Sequence, residues 1–193
     1  VISRIDHLSI AVTDHEQARR FFQDILGAVE GASDEHEELQ FFWQVFSLGD
    51  LSRIELISPT GPQSFLHSFL EDRQGGVHHL TLETPNLQKA MEDLKSRGIP
   101  YFGYNEYPDG IWKEIYIHPR DAFGVLIQIA EFRPDDFISD RVKLPASRRW
   151  KVEKKAGGCA LALSHPGGGM VKVELDDQEA RALLAELGQA LEG

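Results

Sequence analysis

Ile5-Asp6-His7-Leu8-Ser9-Ile10-Ala11-Val12 and, further along, Val77-His78-His79-Leu80-Thr81-Leu82-Glu83 are the stretches on which the fold turns. In the first, Leu8, Ile10 and Val12 alternate with His7, Ser9 and Ala11; in the second, Leu80 and Leu82 alternate with His79 and Thr81. Alternation with period two is the pattern of a β-strand with one apolar face and one polar-lined face. His79 follows His7 by 72 residues, and Ile127-Gln128-Ile129 follows Ile54-Glu55-Leu56 by 73. A near-constant offset implies two halves built to one plan.

Working outward, Asp14 is placed to cap a helix running to about Leu26, with Ala18, Phe21, Phe22, Ile25 and Leu26 at helical spacing and Gly27 as its stop. An acidic loop (Asp34, Glu35, Glu37, Glu38), a strand from Leu39 to Leu48, a tight Gly49-Asp50 turn and a strand from Ser52 to Ser58 follow, with a further short strand near residues 28–32. The second half repeats the order: a helix from Asn86 to Arg97 stopped by Gly98, then strands near Tyr101–Tyr104, Trp112–His118 and Gly124–Glu131. Between the halves, Phe65, Leu66, Phe69 and Leu70 mark a short amphipathic helix. The expected fold is α+β, two paired βαβββ modules within residues 3–132, with halves at about 3–60 and 75–132.

Residues 133–155 hold eight Lys and Arg against four acids and read as an extended linker, 133–156. Residues 157–193 read as a small β-β-α appendage: strands Cys159–Ser164 and Met170–Leu175, then a helix with Asp176 and Glu179 spaced as a capping box. One reading of this tail is that it mediates dimerisation and has no chemical part.

The whole chain of 193 residues has a formal net charge of -11, which speaks against a phosphate-tracking surface and so against nucleic acid as a partner. No apolar run approaches the roughly 20 residues that span a bilayer, and the first residues lack a basic-then-apolar signal pattern. No membrane partner is expected. The single cysteine, Cys159, reads as a small core residue in a reducing compartment, and the expected location is the cytoplasm.

The repeat singles out four side chains: His7 and His79 on the first strand of each half, and Glu55 and Gln128 on the last. If the halves pair about an approximate two-fold axis, two imidazoles, a carboxylate and an amide oxygen converge as ligands for a divalent metal ion. Beside this stands a blander reading, in which Glu55 pairs with Arg53 two residues away. Glu131 lies three residues from Gln128, so only a bulge would let it take that place.

Ile5–Val12 with its following helix, Arg53-Ile54-Glu55-Leu56-Ile57-Ser58-Pro59, Val77–Glu83, and His118-Pro119 before Gly124–Gln128 together resemble the vicinal oxygen chelate superfamily. Within it the resemblance is to the methylmalonyl-CoA epimerases, with glyoxalase I more distant. The resemblance implies a divalent metal (Co, Mn, Zn or Ni), an acyl-CoA substrate, chemistry through a metal-stabilised enolate, and His7, Glu55, His79 and Gln128 as ligands. In the epimerase pattern the ligand matching Gln128 is a glutamate, and a further glutamate base matches Gln44. Glu114, on the penultimate strand of the second half, suggests that acid and amide have exchanged halves. Glu55 and Glu114 are then the expected bases, with Gln44 and His118 as substrate contacts. A glyoxalase-like lyase or isomerase and a metal-free ligand-sequestering protein are the alternatives, and a homodimer is the expected assembly.

Overall fold

In a computed structural model, which describes residues 2–49 and 52–192, the chain separates into two compact units, residues 1–139 and 140–193. The first half of unit 1 is β1 (Arg4–Val12), α1 (His15–Arg20, continued by a π-helical stretch Phe21–Ile25), β2 (Val29–His36), β3 (Phe41–Ser47) and β4 (Arg53–Pro59). After α2 (Leu66–Leu70) come β5 (Gly75–Glu83), α3 (Leu87–Ser96), β6 (Phe102–Glu106), β7 (Trp112–Ile117) and β8 (Ile127–Phe132). Asp14 and Asn86 cap the two long helical segments, accepting from Gln17 N and Lys89 N, and Gly27 and Gly98 follow them with φ of 73° and 68°. The expected Gly49-Asp50 turn includes residues outside those described. Asp34 and Glu35, read as loop, belong to β2, which pairs with β3 through Glu35 and Phe42.

Unit 1 carries one eight-stranded sheet in the order β2-β3-β4-β1-β5-β8-β7-β6. In each half the first strand runs parallel to the last, and the rest are antiparallel. The halves meet where β1 pairs antiparallel with β5, so the two first strands lie side by side and an approximate two-fold axis passes between them.

One face of this sheet is filled by helices. Phe46, Ile54 and Leu56 pack with Ala18 and Phe22 from the α1 segment, and Ile115, Ile117 and Ile129 pack with Leu87 and Ala90 of α3. Fully burying side chains of this size contributes roughly 1.5–3 kcal/mol each. Because strand side chains alternate, the other face receives the remaining set, including His7, Glu55, His79 and Gln128. Part of it is covered by α2, whose Leu66 and Leu70 pack on Ala11 and Ile57. The segment Pro134–Phe137 adds Phe137, whose ring lies 5.2 Å from that of Trp112 and 6.3 Å from that of Trp43. Gly31 permits this crossing, since a Cβ there would run into the Phe137 carbonyl oxygen.

Unit 2 contains β9 (Trp150–Lys155), β10 (Gly158–Ser164), β11 (Met170–Asp176) and α4 (Asp177–Glu192). Here the structure departs from the linker expectation: Trp150–Lys155 pairs with β10 along its length, making a three-stranded sheet and a β-β-β-α unit. A run rich in Lys reads as linker, yet β9 is an edge strand, where charged side chains are tolerated on the exposed side and discourage pairing with other chains. The Asp176/Glu179 capping box forms in both directions, at 2.8 and 2.9 Å.

Candidate metal centre

Two rows of directly paired residues cross the centre of the sheet. In one, Glu55 stands opposite Ser9, and Ser9 opposite His79. In the next, Arg53 pairs with His7, His7 with Thr81, and Thr81 with Gln128. The four candidate ligands therefore occupy adjacent rows on one face, contributed by β4, β1, β5 and β8. His7, Glu55 and His79 have ligand atoms all within 4.8 Å of one another, and Glu55 Oε2 lies 3.6 Å from both His7 Nε2 and His79 Nε2. Gln128 joins through Thr81, whose hydroxyl donates to Gln128 Oε1 at 2.5 Å and lies 2.9 Å from His7 Nε2.

Both histidines are oriented from behind by the residue before them. The β1/β5 register skips Asp6 on β1 and His78 on β5, so each strand carries a bulge immediately before its histidine. A bulge puts two consecutive residues opposite one and re-aims their side chains. Asp6 Oδ2 lies 2.7 Å from His7 Nδ1, and His78 Nδ1 lies 2.9 Å from His79 Nδ1. Asp6 is itself held by Arg4 and by the buried Arg53. With the Nδ1 positions engaged, both rings present Nε2 to Glu55, and a carboxylate behind a ligating imidazole fixes its tautomer. Arg53 is thus the partner of Asp6. A regular strand would send His78 to the face opposite His79; its bulge instead brings it against the site.

The electrostatics follow. Burial opposes charge on His7, but Glu55 and Asp6 outweigh it and raise its pKa to about 9. Burial pushes Glu55 upward, and the facing histidines outweigh that, holding it at about 2. His79 is driven down to about 3, chiefly by burial. The group is thus a carboxylate flanked by one cationic and one neutral imidazole, and a cation between them would replace the proton on His7.

These residues fit a divalent metal ion. His79 Nε2 is buried without a hydrogen-bond partner, a condition that costs about 1–3 kcal/mol unless something else satisfies the atom. Two donors each about 2.1 Å from one cation are at most about 4.2 Å apart, and the two 3.6 Å separations lie within that span. Two imidazole nitrogens, a carboxylate and an amide oxygen suit a borderline divalent ion.

The other sequence expectations fare differently. Gln44 pairs with Leu56, on the helix side of the sheet, and its Oε1 meets His15 Nε2 at 3.0 Å beneath α1. It does not share the face of Glu55, so a substrate contact there is not supported; on β3 that face carries Trp43 and Val45. Glu131 turns to the helix side and accepts from Leu87 N at the start of α3, at 2.7 Å. His118 is exposed and accepts from Arg120 N at the turn after β7, with Phe102 beside it. Glu114 lies on the site's face but is committed to three donors, Trp112 Nε1 at 2.7 Å, Gln128 Nε2 at 2.6 Å and Asn105 Nδ2 at 3.1 Å. Asp6, His78, Thr81 and Trp112 were not anticipated. Trp112, whose ring is 6.5 Å from that of His7, forms an apolar wall with Phe132 and Phe137.

A repeated βαβββ module with its candidate ligands gathered at the axis between the halves is the architecture of one protein class, and comparison with known proteins agrees. Residues 6–115 match the Glyoxalase/Bleomycin resistance protein/Dioxygenase superfamily, and the chain belongs to that superfamily. The mitochondrial methylmalonyl-CoA epimerase of Bos taurus is 32% identical over 132 residues, 67% of this chain and 75% of the relative. The ethylmalonyl-CoA/methylmalonyl-CoA epimerase of Cereibacter sphaeroides is 31% identical over 134 residues, covering 68% of this chain and 99% of the relative. Among solved structures, methylmalonyl-CoA epimerase from Mycobacterium tuberculosis is similar with a TM-score of 0.62 at 26% identity, over 69% of this chain and 90% of that one. The chain is an epimerase-like enzyme of the superfamily. Among the described residues, no helix is long and apolar enough to cross a membrane.

Proposed function

We propose that the protein is a metal-dependent epimerase acting at the α-carbon of an acyl-CoA thioester of the methylmalonyl type. The observation that carries this reading is the meeting of His7, Glu55, His79 and Gln128 on one sheet face at the axis between the halves, in a chain whose relatives are named for that reaction. When bound by these four residues, a divalent ion supplies a Lewis acid that polarises a carbonyl and makes the adjacent C–H more acidic. The protein's part is orientation and proton transfer. Asp6 and His78 fix the two imidazoles, and the wall of Trp112, Phe132 and Phe137 keeps water from one side of the site.

Of the two carboxylates expected to move the proton, only Glu55 stands among the imidazoles with part of its side chain, 13%, open to solvent. Glu55 is the carboxylate placed to accept the α-proton, and inversion follows when the planar α-carbon takes a proton from solvent on its opposite face. Glu114 is buried with both carboxylate oxygens engaged by Trp112, Gln128 and Asn105, which leaves neither aimed at a substrate, so the proton-transfer role expected for it is withdrawn.

Incubation of the protein with methylmalonyl-CoA in deuterated buffer, after loading in turn with Co, Mn, Zn or Ni, tests the proposal by mass spectrometry of the thioester. Deuterium enters the α-position with at least one metal, and Glu55→Gln removes the effect. Exchange no faster than the protein-free background with all four metals overturns it.

A further inference from the structure

We infer that Glu114 is a positioning residue: it holds the Gln128 amide with its oxygen turned to the metal site, and its presence requires a glutamine at position 128. The inference rests on the proposed metal site and concerns how this chain builds its fourth ligand.

The chain of contacts begins with an indole. Trp112 Nε1 can only donate, and it donates to Glu114 Oε2 at 2.7 Å. That fixes Glu114 Oε2 as an acceptor. The same oxygen is 2.6 Å from Gln128 Nε2, so the group that Gln128 shows it must be a donor, its NH2. The second hydrogen of that NH2 goes to the Tyr116 hydroxyl oxygen at 2.8 Å. An amide that spends both N–H bonds on this side has its oxygen on the other, where Oε1 accepts from Thr81 beside His7 Nε2. Asn105 Nδ2 holds the second oxygen of Glu114 at 3.1 Å, so the carboxylate is itself locked. Glu114 and Gln128 are both 5% exposed, and solvent does little to relax this order.

Two consequences follow. An amide that donates to a carboxylate is polarised toward its own oxygen, as in any charge-assisted hydrogen-bond chain, so the neutral ligand gains some of the donor strength of an anionic one. A glutamate at position 128 would set one acceptor oxygen against another across the 2.6 Å contact, at a cost that disappears only when Glu114 is gone. Residues 114 and 128 are therefore coupled, and which of them carries the carboxylate decides what faces the metal.

A double-mutant cycle on the full chain tests this with a readout other than activity: cobalt(II) affinity by chelator competition, and the visible absorption bands of the bound cobalt. Glu114→Leu frees the amide to turn, and cobalt affinity falls roughly 10–100-fold with altered bands. Gln128→Glu preserves side-chain size, which guards against loss of fold, and weakens cobalt binding to a similar degree. The combined Glu114→Leu/Gln128→Glu variant binds cobalt more tightly than either single variant, because one carboxylate then faces the site unopposed. Unchanged affinity and bands in Glu114→Leu, or a double variant as weak as the two single losses multiplied, overturn the inference while leaving the metal site standing. A native chain that takes up no cobalt overturns both.

Discussion

Asp6 and His7, neighbours in sequence, point to the same side of β1, and the Asp6 carboxylate accepts from His7 Nδ1 at 2.7 Å. A regular strand would send them to opposite faces; the bulge at Asp6 brings them together. Replacing the carboxylate by an amide, Asp6→Asn, weakens the hold on the ring and removes the charge of one anionic partner of buried Arg53. Divalent-metal affinity is expected to fall roughly 10–100-fold, and stability by about 3 kcal/mol, measured by metal titration and urea unfolding. Native metal affinity in this variant would deny Asp6 its orienting role.

Metal binding itself should stabilise unit 1. At a cobalt concentration a hundred times the dissociation constant, linkage contributes about 2.7 kcal/mol, a rise of roughly 5–11 °C in Tm for a domain of this size. In His79→Ala the rise should vanish, whatever the baseline Tm of the variant. An equal rise in both proteins, by calorimetry, would place the bound cobalt elsewhere.

Glu131 is assigned to the helix side, where it accepts from Leu87 N. Glu131→Ala removes that contact at the start of α3 and should cost about 1 kcal/mol of stability with no change in metal uptake. Weaker metal binding would return Glu131 to the ligand set.

Phe137 packs edge to face on Trp112 and Phe132, at 5.2 and 5.4 Å, and tilted toward Trp43. Phe137→Ala should destabilise unit 1 by about 2 kcal/mol, less than for a fully buried ring because Phe137 is half-buried. The tryptophan emission should move to longer wavelength as water reaches the two indoles. A wavelength unchanged from the native protein would mean that Phe137 does not shield them.

Much of unit 1 was readable from single residues. Alternation at Leu8-Ser9-Ile10 and Leu80-Thr81-Leu82 marks half-buried strands, and the spacing of His7 to His79 and of Glu55 to Gln128 marks the repeat. Gln44 was not readable. It sits in Phe41-Phe42-Trp43-Gln44-Val45-Phe46, apolar on both sides of the strand, and such a run carries no sign of which face meets which layer. Glu114 was readable as a residue of the site's face, since it alternates with Ile115 and Ile117. Its role was not, because that depends on the indole of Trp112 and the amides of Asn105 and Gln128, which reach it from its own strand and two neighbours.

What the sequence by itself determined is the plan: two like halves, the helix ends set by Asp14, Gly27, Asn86 and Gly98, and two histidines on the polar face of equivalent strands. These are local properties, set by side-chain period and by caps within a few residues. Tertiary structure alone decided that β1 pairs with β5, that Asp6 and His78 bulge onto their neighbours, and that the Gln128 amide turns its oxygen to the histidines. It also made Trp150–Lys155 an edge strand. Register, bulges and amide orientation are settled by hydrogen bonds to atoms on other strands, and those partners are chosen only when the chain has closed on itself.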